Sequence, residues 1–385
     1  MSTSLGSLNL NQSSSQGSGI DVTAIVDQLI YAEQAPERIW QQEKITLAAE
    51  AIALNSLNSG VSALKDKAFA LSDLTGVFAG LTATSSQPNL VTASAQSDAA
   101  TGVHSVVVKN LATVSSHYTD PVANSSTTLA HGTFTLAVGQ SSKTITIDDT
   151  NDTLDKLAAG INAGDYGVQA SVLNDADGAR LALVSKSSGT PGDLGVSANS
   201  TGLVFHKSAD GVNASFTIDG VPLSSATNTS TGAIPGVTLN LLGADPNTPI
   251  TVKVSHDTAG ITRAVNDFVS AYNSVIKSIN QQFTTDTSGR AGALAGNSAL
   301  RSLQSSLLSD VAYSVAGNNG IVGLASMGID MQNDGTLSVD SSKLNDTLTT
   351  NFSAAQSFFQ SATAGSFGAN LTSDLNSLRA RLPGC

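Results

Sequence analysis

Apolar positions change their rhythm along the chain. Ile20, Val22, Ile25, Val26, Leu29 and Ile30 recur at helical spacing, which predicts a helix capped by Ser18 or Asp21. Pro36 suits the first turn of a continuing or restarted helix. Leu54, Leu57, Val61, Leu64, Ala68 and Leu71 then alternate in steps of three and four, with Leu47 one heptad upstream. Full burial of such a seam, at ~1.5–3 kcal/mol per large side chain, is worth on the order of 10 kcal/mol, and a lone helix cannot bury it. A complementary seam comes some 200 residues later. After Asp257 or Thr258 as cap, Ile261, Val265, Phe268, Tyr272, Val275 and Ile279 alternate in steps of four and three, widened by Val269, Ile276 and Phe283. A third helix is predicted from Asn297 or Ser298, with Leu300, Leu303, Leu307 and Val311 on one face.

The middle reads as strand. Short β-branched runs at Val103–Lys109, Phe134–Val138, Thr144–Ile147, Val168–Leu173, Ala179–Val184, Phe216–Ile218, Val237–Leu242 and Ile250–Val254 are separated by turn residues. Asp177-Gly178 and Asp219-Gly220 signal hairpins, and one helix interrupts at Thr153–Ile161. A further hairpin around Asp334-Gly335 precedes helix signals at Leu344, Leu348, Phe358, Phe359, Phe367, Leu371, Leu375 and Leu378. The fold class is therefore α+β and multidomain: a helical bundle or coiled coil built from both chain ends, with two β-rich domains inserted between them.

Composition narrows the function. The net charge is −12 and only 12% of the 385 residues are charged, against about 25% in ordinary soluble domains. Polarity comes from 54 Ser and 38 Thr. The acidic balance argues against sequence-independent nucleic-acid binding. A single cysteine, Cys385, cannot build a disulfide framework. No run approaches the length of a membrane span, and residues 1–19 have neither a basic n-region nor an apolar h-region, so no cleaved signal peptide is expected. Those Ser-, Gly- and Asn-rich residues read as a disordered leader.

Candidate chemistry is sparse. His104, His117, His131, His206 and His256 are scattered without ligand spacing. Asp330, Gln332 and Asp334 imitate the start of a calcium loop, but the twelfth position is Ser341, and a hairpin turn is the better reading. There is no GxSxG and no P-loop, and Gly17-Ser18-Gly19 lacks a preceding strand. No catalytic residue, cofactor or metal is expected. Trp40 is a candidate contact to a neighbouring subunit or a packing residue. Lys65, Asp66 and Lys67 read as a solvated face.

Several stretches resemble one family. Gly17-Ser18-Gly19-Ile20-Asp21-Val22, running on through Ile25-Val26-Asp27-Gln28-Leu29 to Ala35-Pro36, is similar to the N-terminal signature of the bacterial flagellar filament-capping proteins, the hook-associated protein 2 family. Phe216-Thr217-Ile218-Asp219-Gly220-Val221, Ile234-Pro235-Gly236-Val237, Ala271-Tyr272-Asn273-Ser274, Leu294-Ala295-Gly296-Asn297-Ser298 and Met327-Gly328-Ile329 to Asp340 follow in the family's order. Phe134 to about Gly189 is similar to the repeat inside flagellins and hook-associated proteins.

The resemblance implies a structural cap at the distal end of the flagellar filament that promotes folding and insertion of exported flagellin. It implies domains at 20–42 (an axial helix), 43–85 with 256–385 (the discontinuous bundle), 86–115 with 206–255 (β-rich) and 116–205 (a β-rich head). Ile20, Val22, Ile25, Val26, Leu29, Ile30 and Trp40 would contact flagellin or another subunit. Leu54, Leu57, Val61, Leu64 and Leu71 would form the bundle seam with Ile261, Val265, Phe268, Tyr272, Val275 and Ile279. Implied partners are further copies in a ring of about five, flagellin, hook–filament junction proteins and an export chaperone. The implied location is the extracellular filament tip, reached through the flagellar secretion channel. The family pattern continues with another long helix that pairs with the N-terminal one and serves the chaperone, whereas Pro383-Gly384-Cys385 cannot continue a helix. An alternative from the Ser/Thr-rich middle is a surface adhesin whose β-rich part binds host glycans or mucin.

Overall fold

A computed structural model describes residues 22–285, 287, 289–360 and 365–379, with backbone only at 22, 23 and 379. The expected leader, Ile20, the cap candidates Ser18 and Asp21, and Cys385 lie outside the described residues. The chain divides into two compact units, one of residues 1–69, 266–344 and 357–385, the other of 70–265 and 345–356.

The first unit is helical. It holds α1 (Val22–Glu33), most of α2 (Ala35–Ser72) and, after the β-rich segment with its helix α3 (Leu154–Ala163), most of α4 (Thr258–Phe283). Then come α5 (Ser298–Val311) and, beyond α6 (Ser341–Thr350) and α7 (Phe352–Phe359), α8 (Phe367–Arg379). Asn297 caps α5 by accepting the N–H groups of Ala299 and Leu300. The core joins Leu57, Val61 and Leu64 of α2 to Phe268, Tyr272, Val275 and Ile279 of α4, all buried, while Leu54 is half-buried. Phe367 of α8 stacks on Phe358 (5.3 Å between centroids) and meets Phe268 and Phe359 edge-on. The Asp334-Gly335 turn closes a short hairpin, as its residues predict: Gly335 is at φ +82°, and the Asp334 carboxylate accepts from the Thr336 backbone N–H and hydroxyl. Asn273 of α4 fixes that hairpin through both backbone groups of Leu337.

The second unit is β-rich and antiparallel. Its strands run β1 (Leu81–Ser85), β2 (Val91–Ala95), β3 (Gly102–Asn110), β4 (Val114–Thr119), β5 (Gly132–Val138), β6 (Ser141–Ile147), β7 (Val168–Asp175), β8 (Gly178–Ser188), β9 (Leu194–Ser197), β10 (Phe205–Ala209), β11 (Ala214–Ile218), β12 (Val221–Ser225), β13 (Thr229–Ile234), β14 (Val237–Leu241) and β15 (Ile250–His256). One lobe pairs a five-stranded sheet, β1-β15-β3-β11-β12, with a three-stranded one, β13-β14-β2, over a core that includes Val106, Phe216, Leu239 and Val252. The other lobe combines the sheets β10-β4-β8-β7 and β6-β5-β9 with α3, over Phe134, Leu136, Leu157, Ile161 and Leu183. Thr153 caps α3 through the Lys156 N–H.

Three expectations shift. Residues 81–85, assigned to the bundle, form β1 and pair with β15. The head lobe begins at β4 and ends with β10, so its strands extend past the expected 116–205. The seam residues Leu71, Ile261 and Val265 are buried in the β-rich unit rather than in the helical one.

Candidate assembly interface

The helical unit carries an apolar stripe that its own residues leave bare. Pro36 cannot donate to the Ala32 carbonyl, so the helix breaks at Gln34. Backbone bonds from Gln34 to Ile30 (2.9 Å) and from Arg38 to Gln34 (3.0 Å) carry the chain across. The Arg38 guanidinium donates to the Tyr31 carbonyl at 2.7 Å and lies 3.8 Å from the Tyr31 ring centroid, a cation–π contact that braces the junction.

Residues 24–49 are exposed throughout, apart from half-buried Ala35. Ile25, Val26, Leu29 and Ile30 of α1 are among them, and Trp40 of α2 is 69% exposed. The Val22 side chain lies outside the described residues. Trp40, Leu47, Leu54, Val61 and Ala68 fall at seven-residue intervals on one helix. Val61 and Ala68 are buried, Leu54 is half-buried, and Leu47 and Trp40 are exposed. A single seam therefore runs from covered to uncovered.

The register of α4 explains where cover stops. Lys67 pairs with Asp267 at 2.8 Å, a Cβ on Gly60 would sit 3.3 Å from Val275 Cγ2, and Leu57 and Ser278 line one small cavity. Each step back along α2 is a step forward along α4, as antiparallel helices require. On that register Phe283, the last residue of α4, lies opposite about residue 52, because both helices rise about 1.5 Å per residue. Upstream of it, Ile39, Trp40 and Leu47 have no α4 beside them, whereas Ile45 and Ile52, two residues short of the seam positions Leu47 and Leu54, lie on the opposite face of α2 and are exposed there, Ile52 at 71%. Sequence reasoning missed Ile39, Ile45 and Ile52, although the heptad from Ile45 to Ile52 was a usable signal. Large apolar residues left exposed along a whole helical arm are the mark of an interaction surface.

The histidines are dispersed. His104 pairs with Asp219 (2.8 Å), His206 with Asp120 (2.8 Å) and His131 with Asp149 (3.3 Å). Among the described residues no group of three or more His, Cys, Asp or Glu side chains could hold a metal ion. The buried His117 has no partner for Nδ1; burial and the charge of Lys207 hold its pKa below the ordinary histidine value.

Comparison with known proteins follows the same lines. Residues 18–115 match the model of the flagellar hook-associated protein 2 N-terminus, residues 211–381 that of its C-terminus, and residues 133–187 the flagellin hook IN motif. The chain is 31% identical to the B-type flagellar hook-associated protein 2 of Pseudomonas aeruginosa, over 88% of this chain and 78% of that protein. It is 27% identical to the flagellar hook-associated protein 2 of Escherichia coli K12, over 94% and 83%. Its fold is similar to the crystal structure of the D1-D2-D3 domains of the flagellar cap protein FliD from Escherichia coli, with TM-score 0.63 and 26% identity, over 86% of this chain and 99% of that one.

Proposed function

The chain belongs to the flagellar hook-associated protein 2 family, and from that premise we propose that it is the structural cap at the distal end of a bacterial flagellar filament, promoting folding and insertion of exported flagellin. The observation that carries this reading is the exposed apolar stripe of α1 together with the bare positions Leu47 and Trp40 of α2, which continue a seam that α4 covers farther along. A stripe that the described residues leave bare is suited to a neighbouring helix, such as one of flagellin or of a second cap subunit.

The energetics suit a moving cap. Each large apolar side chain contributes about 1.5–3 kcal/mol when fully covered. Association costs about 4–15 kcal/mol in lost freedom. One arm alone thus binds modestly, whereas a ring of about five arms remains attached while single contacts exchange, because linked contacts reinforce one another. The work is mechanical: the cap holds an arriving subunit while it folds, and no bond is made or broken.

The partners on this reading are further copies of the chain, flagellin and the hook–filament junction proteins, with an export chaperone during transit. The site of action is the extracellular filament tip. Export in the unfolded state suits a chain with 12% charged residues and a single cysteine, which refolds outside the cell without disulfides. No helix among the described residues is long and apolar enough to cross a membrane.

Deleting the gene in the motile source bacterium is the test. The expected phenotype is short or absent filaments, with monomeric flagellin in the medium. Filaments of normal length and number in the deletion strain would overturn the assignment.

A further inference from the structure

The helical unit contains a pair of carboxyl groups lining one crevice with no cationic side chain beside them among the described residues. Asp310 sits near the end of α5 and Asp374 in the middle of α8, and both line one crevice of about 290 Å³ between the two helices. Asp310 Oδ2 is sealed from solvent and has no hydrogen-bond partner. On the α4 side is Tyr272, 0% exposed, whose hydroxyl is also sealed and without a partner, and the one charge acting on it is that of Asp310. The other polar groups facing the crevice are neutral: Ser309 of α5, Asn370 and Ser373 of α8, and Tyr313, whose hydroxyl donates to the Gly365 carbonyl. Among the described residues no lysine, arginine or histidine lines it.

Asp374 is exposed, whereas Asp310 is half-buried with Oδ2 sealed, so a second negative charge on Asp310 beside Asp374 is costly. We propose that Asp310 and Asp374 share a proton, which clasps α8 onto α5 and is released as pH rises, so that α8 is a pH-sensitive closing helix of the bundle. With the proton present, the Asp310 carboxyl donates to the Asp374 carboxylate across the crevice. When the proton leaves to solvent, two negative charges remain facing one another and the α5–α8 contact weakens. Burial, and then the hydrogen bond and charge of Asp374, push the Asp310 pKa up to about 7. Release therefore falls within the physiological range. The consequence reaches the core, because α8 buries Phe367, Leu371 and Leu375. Loosening α8 uncovers an apolar face that Phe268 and Phe358 share.

The sign is distinctive. Because the folded pKa lies above the unfolded carboxylate value, the stabilisation is fully present below about pH 4 and is lost as pH rises through about 7. Acidification from neutral pH strengthens the clasp, the reverse of ordinary acid denaturation.

The test is hydrogen–deuterium exchange of the intact chain between pH 6 and 8, corrected for intrinsic exchange and read at the α8 amides. Protection of α8 is expected to fall about tenfold across that interval, one pKa unit corresponding to a tenfold change. Asp310→Asn keeps the shape but cannot ionise, and should remove the pH dependence. Carboxyl ¹³C shifts of the unsubstituted chain provide a check independent of any variant and should show Asp310 titrating near pH 7. Flat α8 protection in the unsubstituted chain, or an unchanged slope in Asp310→Asn, would overturn the proposal. So would protection that follows added calcium and EDTA instead of pH, since the pair would then bind a cation rather than a proton.

Discussion

The His256 imidazole lies flat on the Phe352 ring, with centroids 3.5 Å apart and planes within 9° of parallel. His256 ends β15, Phe352 opens α7, and the same phenylalanine meets Phe78 at 6.0 Å. The stack closes one end of the β-rich unit. His256 Nδ1 is sealed without a partner, and burial holds its pKa below the ordinary value of 6.5. Buried His117 shares that shift. A histidine kept neutral by the fold gives stability that is complete above the unfolded pKa and declines as pH falls below it toward the folded value. The β-rich unit is therefore expected to lose stability as pH falls below about 6.5. Urea titrations read by exchange at β-strand amides should show a lower midpoint at pH 5.5 than at 7.5, and an unchanged midpoint would contradict the expectation.

At Gly60 the backbone of α2 comes close to α4. A Cβ there would meet Val275 Cγ2 at 3.3 Å, tight but against a side chain rather than backbone. Gly60→Ala trades that crowding against about 1 kcal/mol of helix propensity and should be nearly neutral. Gly60→Leu has no room, and overpacking should cost about 1–3 kcal/mol. Chemical denaturation of the two variants checks this directly. Equal stability of both would mean that the two helices are not packed so closely.

Legibility in the sequence followed burial of apolar side chains. The α2 and α4 seams were readable because large residues recur at the helical period, and Asp257 and Asn297 stood among the cap candidates before α4 and α5. The strand β14 was readable because Val237, Leu239 and Leu241 alternate inward. Its flanking strands, β2 and β13, are edges of that sheet and hold one large apolar residue each, Val91 and Ile234, among Ser, Thr, Ala and Gly, so no alternation marks them. The interior strand β4 was hidden for a different reason: it buries Ser115, His117 and Thr119 and exposes Val114 and Tyr118, inverting the usual pattern. Hydrogen bonds offset that inversion, since Ser115 donates to the Ala209 carbonyl and the Thr119 hydroxyl accepts from the Leu181 N–H. The interface was half legible. The Ile25–Ile30 stripe stands out by itself, but the point where α2 loses its cover depends on the register and end of α4, which no local pattern contains.

Lys207 bridges Asp193 at 2.9 Å and Asp210 at 2.6 Å beside His117. These groups are largely exposed, so Lys207→Met should cost less than about 1 kcal/mol. Its electrostatic effect should be clearer. The lysine charge depresses the His117 pKa while the two aspartates raise it, so removing the lysine should move the pKa up. Imidazole NMR titration of the variant checks the direction, and the acid sensitivity of the β-rich unit should shrink with it. A His117 pKa that stays put would mean that burial alone sets it.

Trp40 is the chain's single tryptophan and stands exposed on α2, in register with the seam that α4 covers farther along. Its emission should therefore be that of a water-exposed indole in the monomer and shift to the blue when the arm is covered on assembly. Substitutions at exposed positions away from special contacts usually change stability by no more than about 0.5 kcal/mol. Trp40→Ala and Leu29→Asp should accordingly leave the unfolding midpoint unchanged. Both should weaken self-association, measured by light scattering at rising concentration, and should fail to restore filaments in the deletion strain. The arm would have to be relinquished as the assembly surface if either variant restored full-length filaments and associated like the parent.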